Sequence, residues 1–202
     1  MTNIILASGS PRRAKLLKSA GVKFKVIKSN TNEKNLARRF KILNFKTFVR
    51  ILSFLKAVSV LKNKEKTKYF KGNEIILGFD TIVVCNNKII DKPKNKKDAL
   101  KKLLLLSGKT HNVLTGFCII NLKTKKIIAD HESTKVTMKK ITKQDITNYI
   151  ATGEPFDKAG AYAIQGKGSK FIKKIRGDYS NVVGLPLTRF TKILNLSIKD
   201  TI

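Results

Sequence analysis

Three segments of this 202-residue chain carry residue types that could do chemistry. The first is Ala7-Ser8-Gly9-Ser10-Pro11-Arg12-Arg13. An apolar run ends there, small residues turn, and Pro11 is well placed to open a helix. N–H groups at a helix start point outward and favour an anion. Ser8 and Ser10 add hydroxyl donors, and Arg12 and Arg13 add guanidinium forks suited to phosphate oxygens. The segment is not a Walker A loop, because it lacks the G-x-x-x-x-G-K-S/T pattern. The plainer reading is an ordinary capped helix with surface arginines.

The second segment is Gly78-Phe79-Asp80-Thr81, inside an apolar stretch from Ile75 to Cys85. A carboxylate there is costly to bury unless it is paired, metal-bound or facing a cleft. Asp80 at a strand end is placed to hold Mg²⁺ or to activate water. The alternative is a bulge or turn in which the Asp caps backbone. The third segment, Glu154 to Gly168, is rich in glycine and functional groups. Such loops often carry function, and the Gln165 amide could make a two-point contact with a base edge. The alternative is a chain of tight turns without a ligand. Lys56, Lys92 and Glu33 are ambiguous by themselves, as a snorkelling lysine, a lysine before Pro93 and a solvated acid. His111 and His131 lack metal-ligand spacing.

These residues need elements to hold them. Residues 3–7 read as a short buried strand. Arg12 to Ala20 reads as a helix stopped by Gly21, and Phe24–Ile27 as a second strand. A long helix lies within Leu36 to Leu61, with apolar residues at three- and four-residue spacings. Lys62 to Asn73 is a charged linker. Glu74–Leu77 and Thr81–Cys85 are expected as one strand interrupted at Gly78-Phe79-Asp80. Asn86-Asn87 turns a hairpin into Lys88–Ile90. Helices are expected at Asp98 to Leu106, at Thr142 to Thr152 and from Leu187 to about Leu194. Strands are expected at Val113 to Asn121, Lys126 to Asp130 and Thr134–Met138. Alternation of strands and helices argues for an α/β protein.

Composition excludes several classes. Hydrophobic residues make up 42% of the chain, too many for a disordered one. No apolar run reaches the roughly 18–20 residues that span a bilayer. The sequence MTNIILASGS has no basic region ahead of its short apolar stretch, so a signal peptide is not expected. Two cysteines, Cys85 and Cys118, exclude a disulfide scaffold and fit a reduced, cytoplasmic setting. Lys and Arg total 43 against 13 acidic residues, a net charge of +30. That charge attracts polyanions. It is spread over the whole chain, though, alongside abundant Asn and Ile, with no tryptophan and no RNA-binding or zinc-finger motif. Compositional drift explains it better than a dedicated nucleic-acid surface, and it would still favour a phosphate-bearing small substrate.

Taken together, the motifs resemble those of the Maf-like nucleotide pyrophosphatases. The resemblance runs through LASGSPRRAKLL at 6–17, Leu55-Lys56-Ala57, GFDTIVV at 78–84, Lys92-Pro93 and LSGKTHNVLTG at 106–116. It is densest at 153–172 and 177–187. It implies a mixed central sheet flanked by helices, with two lobes around a substrate cleft in one domain over residues 1–202, often dimeric. It implies hydrolysis of nucleoside triphosphates to monophosphate and pyrophosphate with a divalent metal, Mg²⁺ or Mn²⁺. Nucleotide-pool house-cleaning and restraint of cell division are the associated roles. By position, Ser8, Ser10 and Arg13 match the phosphate-binding segment and Asp80 the proton acceptor. Glu33, Lys56 and Lys92 match the other charged site positions, with Glu33 and Asp80 as metal ligands. Arg12, Thr81 and Gln165 match the branch acting on dTTP and UTP. Phe79 and Asn32 depart from the pattern, where a small and an acidic residue are usual. The other reading is a nucleic-acid-binding or division-regulating protein with vestigial hydrolysis.

Overall fold

The computed structural model describes residues 3–31, 44–68 and 70–199. Its strands are β1 (Ile4–Leu6), β2 (Lys25–Val26), β3 (Ile75–Cys85), β4 (Lys88–Ile89), β5 (Thr110–Asn121), β6 (Ile127–Met138) and β7 (Ile172–Arg176). Its α-helices are α1 (Pro11–Ser19), α2 (Phe45–Leu61), α3 (Lys64–Thr67), α4 (Lys96–Leu106), α5 (Lys143–Ala151), α6 (Tyr179–Val183) and α7 (Leu187–Lys199). Three 3₁₀ turns lie between α5 and β7, at Glu154–Asp157, Ala159–Ala161 and Lys167–Phe171. The strands form a mixed sheet in the order β2-β1-β3-β5-β6-β7, with β4 paired to β3. Pairing is parallel for β1 with β2 and β3, and antiparallel for β3 with β4 and β6 with β7. The fold is therefore α/β, with helices on a central mixed sheet.

The chain divides into two compact units, and β3, β5 and β6 each contribute to both. The first comprises Met1–Asp80, Thr115–Glu132 and Gly184–Ile202; the second comprises Thr81–Leu114 and Ser133–Val183. Alternation along the strands builds two cores in the first unit. On one face Leu17 of α1 and Phe190 and Leu194 of α7 pack with Ile4, Leu6, Ile75, Leu77, Phe79, Phe117 and Ile119. On the other, Ala57 and Val60 of α2 pack with Ile5, Ala7, Ile76, Cys118 and Ile120. The second unit buries Val83, Cys85, Val113, Val136 and Met138 beneath α4 and α5.

Helix starts follow local chemistry. Ser10, Asn44, Asn95 and Thr142 each cap a helix by accepting a backbone N–H three residues on. The Asn86-Asn87 hairpin forms as expected, both residues having positive φ, and Val84 pairs with Ile89.

Three expectations are corrected. β3 is one unbroken strand through Gly78-Phe79-Asp80. β6 is likewise continuous across His131–Ser133, where a gap was expected. The charged linker contains α3, and β7 and α6 had no recognised signal. The segment preceding α2, with Glu33 and Asn32, lies outside the described residues. Cys85 and Cys118 are free, buried thiols, and burial pushes that of Cys118 up to about 12. No helix among the described residues is long and apolar enough to cross a membrane.

Candidate functional site

The site grows from the way α2 lies on the sheet. A methyl group at Gly78 would stand 2.1 Å from the Ser53 carbonyl oxygen and 3.0 Å from the Ala57 amide nitrogen. At Gly116 of β5 it would stand 2.2 Å from the Val49 carbonyl oxygen. Gly78 is thus a point of close backbone approach. With a period of two, Gly78 and Asp80 face α2, and Phe79 faces the opposite layer. Lys56, on the next turn of α2 after Ser53, donates its ammonium to Asp80 Oδ1. Lys56 is only 7% exposed and Asp80 only 5%. A buried carboxylate is tolerated when it is paired and hydrogen-bonded, and Lys56 supplies both. The carboxylate is held by a side chain, so the alternative of a backbone-capping Asp in a turn does not apply.

The phosphate-type segment lies in the same unit. β1 and β3 run parallel with Leu6 opposite Leu77, and Ala7 N–H donates to Leu77 O at 2.8 Å. The turn after β1 therefore opens at the sheet end toward which β3 carries Asp80. Buried Ser8 accepts from Ser10 N–H at 3.2 Å and from Arg13 Nη1 at 3.2 Å. Ser10 accepts from Arg13 N–H at 3.4 Å as the cap of α1. A hydroxyl that accepts still has its own hydrogen to donate. Arg13 Nε donates to Gly184 O at 2.8 Å, and its guanidinium stands 6.0 Å from the Phe79 ring centroid. Phe79 in turn meets Phe190 edge-on at 5.1 Å. The large residue at position 79 thus fills the layer opposite Asp80 and supports Arg13. Arg12 follows Pro11 in α1 and is half-buried.

The structure therefore brings Ser8, Ser10, Arg12, Arg13, Lys56 and Asp80 to one end of the first unit. Thr81, Lys92 and Gln165 belong to the second. Thr81 is half-buried in β3, just past Asp80. Lys92 is exposed, and its carbonyl accepts from Lys102 Nζ at 3.0 Å. Gln165 is exposed, in the turn ahead of the last 3₁₀ segment. His111 is buried against Tyr162 OH at 2.7 Å, and desolvation lowers its pKa to about 4, so it is a neutral core residue at ordinary pH.

Sequence reasoning missed the supports of the third segment. Glu154 accepts from the backbone N–H groups of Lys167 and Gly168 and from Tyr149 OH. The only forward signal was an acid directly after Gly153 in a lysine-rich region. The Gly184 carbonyl that anchors Arg13 gave none, being a backbone group 171 residues away.

A divalent cation can be weighed against the donors present. Among the described residues there is no group of three or more His, Cys, Asp or Glu that could hold a metal. Asp80 offers one carboxylate. Mg²⁺ is usually bound by one or two carboxylates together with substrate phosphates and water. The donor set fits a hard cation brought with a phosphate ligand rather than a cage made by the protein.

Residues 3–196 match the Maf-like protein family. The chain is 46% identical over 195 residues to the dTTP/UTP pyrophosphatase of Thermoanaerobacter sp. (strain X514), covering 95% of this chain and 94% of that protein. It is 45% identical over 199 residues to the dTTP/UTP pyrophosphatase of Alkaliphilus metalliredigens (strain QYMF), covering 96% of each. Among solved structures, a HAM1 protein from Coxiella burnetii aligns with a TM-score of 0.45 and 12% identity, over 96% of this chain and 99% of that one.

Proposed function

The chain belongs to the Maf-like protein family, and we propose that it hydrolyses dTTP and UTP to the nucleoside monophosphate and pyrophosphate. The observation that carries the mechanism is the buried Lys56–Asp80 pair, in the same unit as the Ser8–Arg13 helix start. The start of α1, Lys56 and Lys92 bind the triphosphate. Asp80 accepts the proton of the attacking water as its oxygen bonds to the α-phosphorus. The bond from that phosphorus to the bridging oxygen breaks, and pyrophosphate leaves. The work is positioning and electrostatic stabilisation. Asp80, together with Glu33 from outside the described residues, would hold Mg²⁺ or Mn²⁺ alongside phosphate oxygens. The bound cation would neutralise charge on the leaving group.

Arg12, Thr81 and Gln165 set the preference for the base. An amide both donates and accepts, as a pyrimidine edge requires, whereas a carboxylate only accepts. All 202 residues form one functional domain. The protein acts in the cytoplasm, where free thiols stay reduced, and clears surplus nucleotides. A homodimer is the assembly that accompanies this reading, and no nucleic-acid partner is assigned.

Gln165→Glu tests the base assignment. The expected result is a fall of about tenfold or more in kcat/KM for UTP and dTTP, the discrimination a two-point hydrogen bond supplies, with an unchanged thermal midpoint. Equal rates for the variant and the parent would remove Gln165 from base recognition.

A further inference from the structure

Gln165 is exposed, yet the turn that carries it is tied at several points. Glu154 Oε2 accepts from Lys167 N–H at 3.0 Å, and Oε1 accepts from Gly168 N–H at 3.1 Å and from Tyr149 OH at 2.9 Å. The Tyr149 oxygen also accepts from Ala163 N–H at 3.1 Å. One carboxylate and one phenol thereby bind both sides of Ile164-Gln165-Gly166. The space is filled. A methyl group at Gly166, whose φ is +86°, would stand 2.8 Å from Glu154 Oε2, and one at Gly168 would stand 2.7 Å from Tyr149 Oη. The tyrosine ring is fixed in turn against Phe171, edge-on at 5.2 Å. Burial, followed by the neighbouring Glu154 carboxylate, raises the Tyr149 pKa, so its hydroxyl remains a donor at neutral pH.

We propose that Glu154 and Tyr149 form a clasp of positioning residues that fixes the Gln165 turn and so sets the base selectivity of the enzyme. The inference rests on the reading of Gln165 as the residue that meets the base. The physical reason is pre-organisation. An exposed side chain on a loose turn would have to be ordered by the substrate, and a misplacement of about 1 Å is enough to cost two orders of magnitude in rate.

The test compares Glu154→Gln, Tyr149→Phe and Gln165→Ala in the full chain, using UTP, CTP and GTP. Glu154→Gln keeps the volume and removes one acceptor. Tyr149→Phe keeps the ring on Phe171 and removes only the hydroxyl, so it serves where the first variant folds poorly. Both are expected to raise KM for UTP about tenfold or more. Selectivity for UTP over CTP and GTP should flatten, while kcat at saturation changes little. Amide hydrogen exchange at Lys167 and Gly168 should quicken in Glu154→Gln. The double variant Glu154→Gln/Gln165→Ala should be no less selective than Gln165→Ala, as expected of residues acting through one another. If Gln165→Ala abolishes selectivity while both clasp variants keep it, the clasp proposal is overturned and the base-reading role stands. If Gln165→Ala leaves selectivity intact, the base-reading role itself is lost and the proposal falls with it, whatever the amide exchange shows.

Discussion

Asp80→Asn lowers pyrophosphate release from UTP by roughly 10²–10⁴-fold, the usual loss when a general base is removed, while the protein stays folded. Asn has nearly the same shape and keeps an oxygen to accept from Lys56 Nζ, so the buried contact between α2 and β3 persists. What it lacks is a basic oxygen for the water proton and a negative charge for a cation. The loss of the base should appear in kcat, and the loss of a cation ligand should add a smaller rise in KM, because the start of α1 still binds the triphosphate without Asp80. The Lys56 ammonium is left without its counter-charge, so the thermal midpoint should fall; far-UV circular dichroism and a cooperative melt above the assay temperature separate the lost activity from misfolding. An Asp80→Asn protein with near-parental kcat would assign the proton to another group.

The second large effect is on stability. Lys56→Met removes the counter-charge of a carboxylate whose side chain is only 8% exposed, and the lysine side chain itself is only 9% exposed. Breaking a buried pair from one side costs on the order of 3–5 kcal/mol, because the remaining charge is desolvated without compensation. For a chain of this size that corresponds to a fall of roughly 6–20 °C in the thermal midpoint. The double variant Lys56→Met/Asp80→Asn should recover part of the loss, since a neutral amide costs less to bury than an unpaired carboxylate. A denaturant midpoint for Lys56→Met within error of the parent would show that the pair is hydrated and contributes little, as surface pairs do.

The elements that were legible are those with local signals. The Ser10-Pro11 start of α1, the Thr142 start of α5 and the Asn86-Asn87 hairpin are written in adjacent residues. So is the apolar spacing along α2. Gly78 was misread because a glycine inside an apolar run signals either a turn or a close backbone approach, and only the packing of α2 decides between them. The polar stretch His131–Ser133 looked like a gap between two strands. It continues β6 although it carries no apolar alternation, and the preceding Asp130 meets Arg189 Nε at 2.7 Å, a partner 59 residues away. β7 pairs with β6 at the edge of the sheet, and its residues are exposed or half-buried, so no apolar alternation marks it.

The site divides in the same way. Residue types and order in the chain pointed to Ser8, Arg13 and Asp80, whereas Lys56 was ambiguous by itself and entered through the family resemblance. Contacts made across the fold did not appear in the sequence, among them Arg13 to Gly184 O and Glu154 to the amides of Lys167 and Gly168. Phe79 is a large residue where the family pattern has a small one. Strand alternation turns it away from Asp80, and it packs with Phe190 beneath Arg13.

Product analysis distinguishes pyrophosphate release from every other reading of the site. The purified protein would be given dTTP, UTP, CTP, ATP, GTP and 7-methylguanosine triphosphate, each with Mg²⁺ or Mn²⁺, and the phosphate products identified. Monophosphate and pyrophosphate are expected in equal amounts, with dTTP and UTP turned over ahead of the rest. Absence of turnover for every nucleotide, together with tight, salt-sensitive binding of nucleic acid, would contradict the proposed hydrolysis and make the net charge of +30 the leading functional feature.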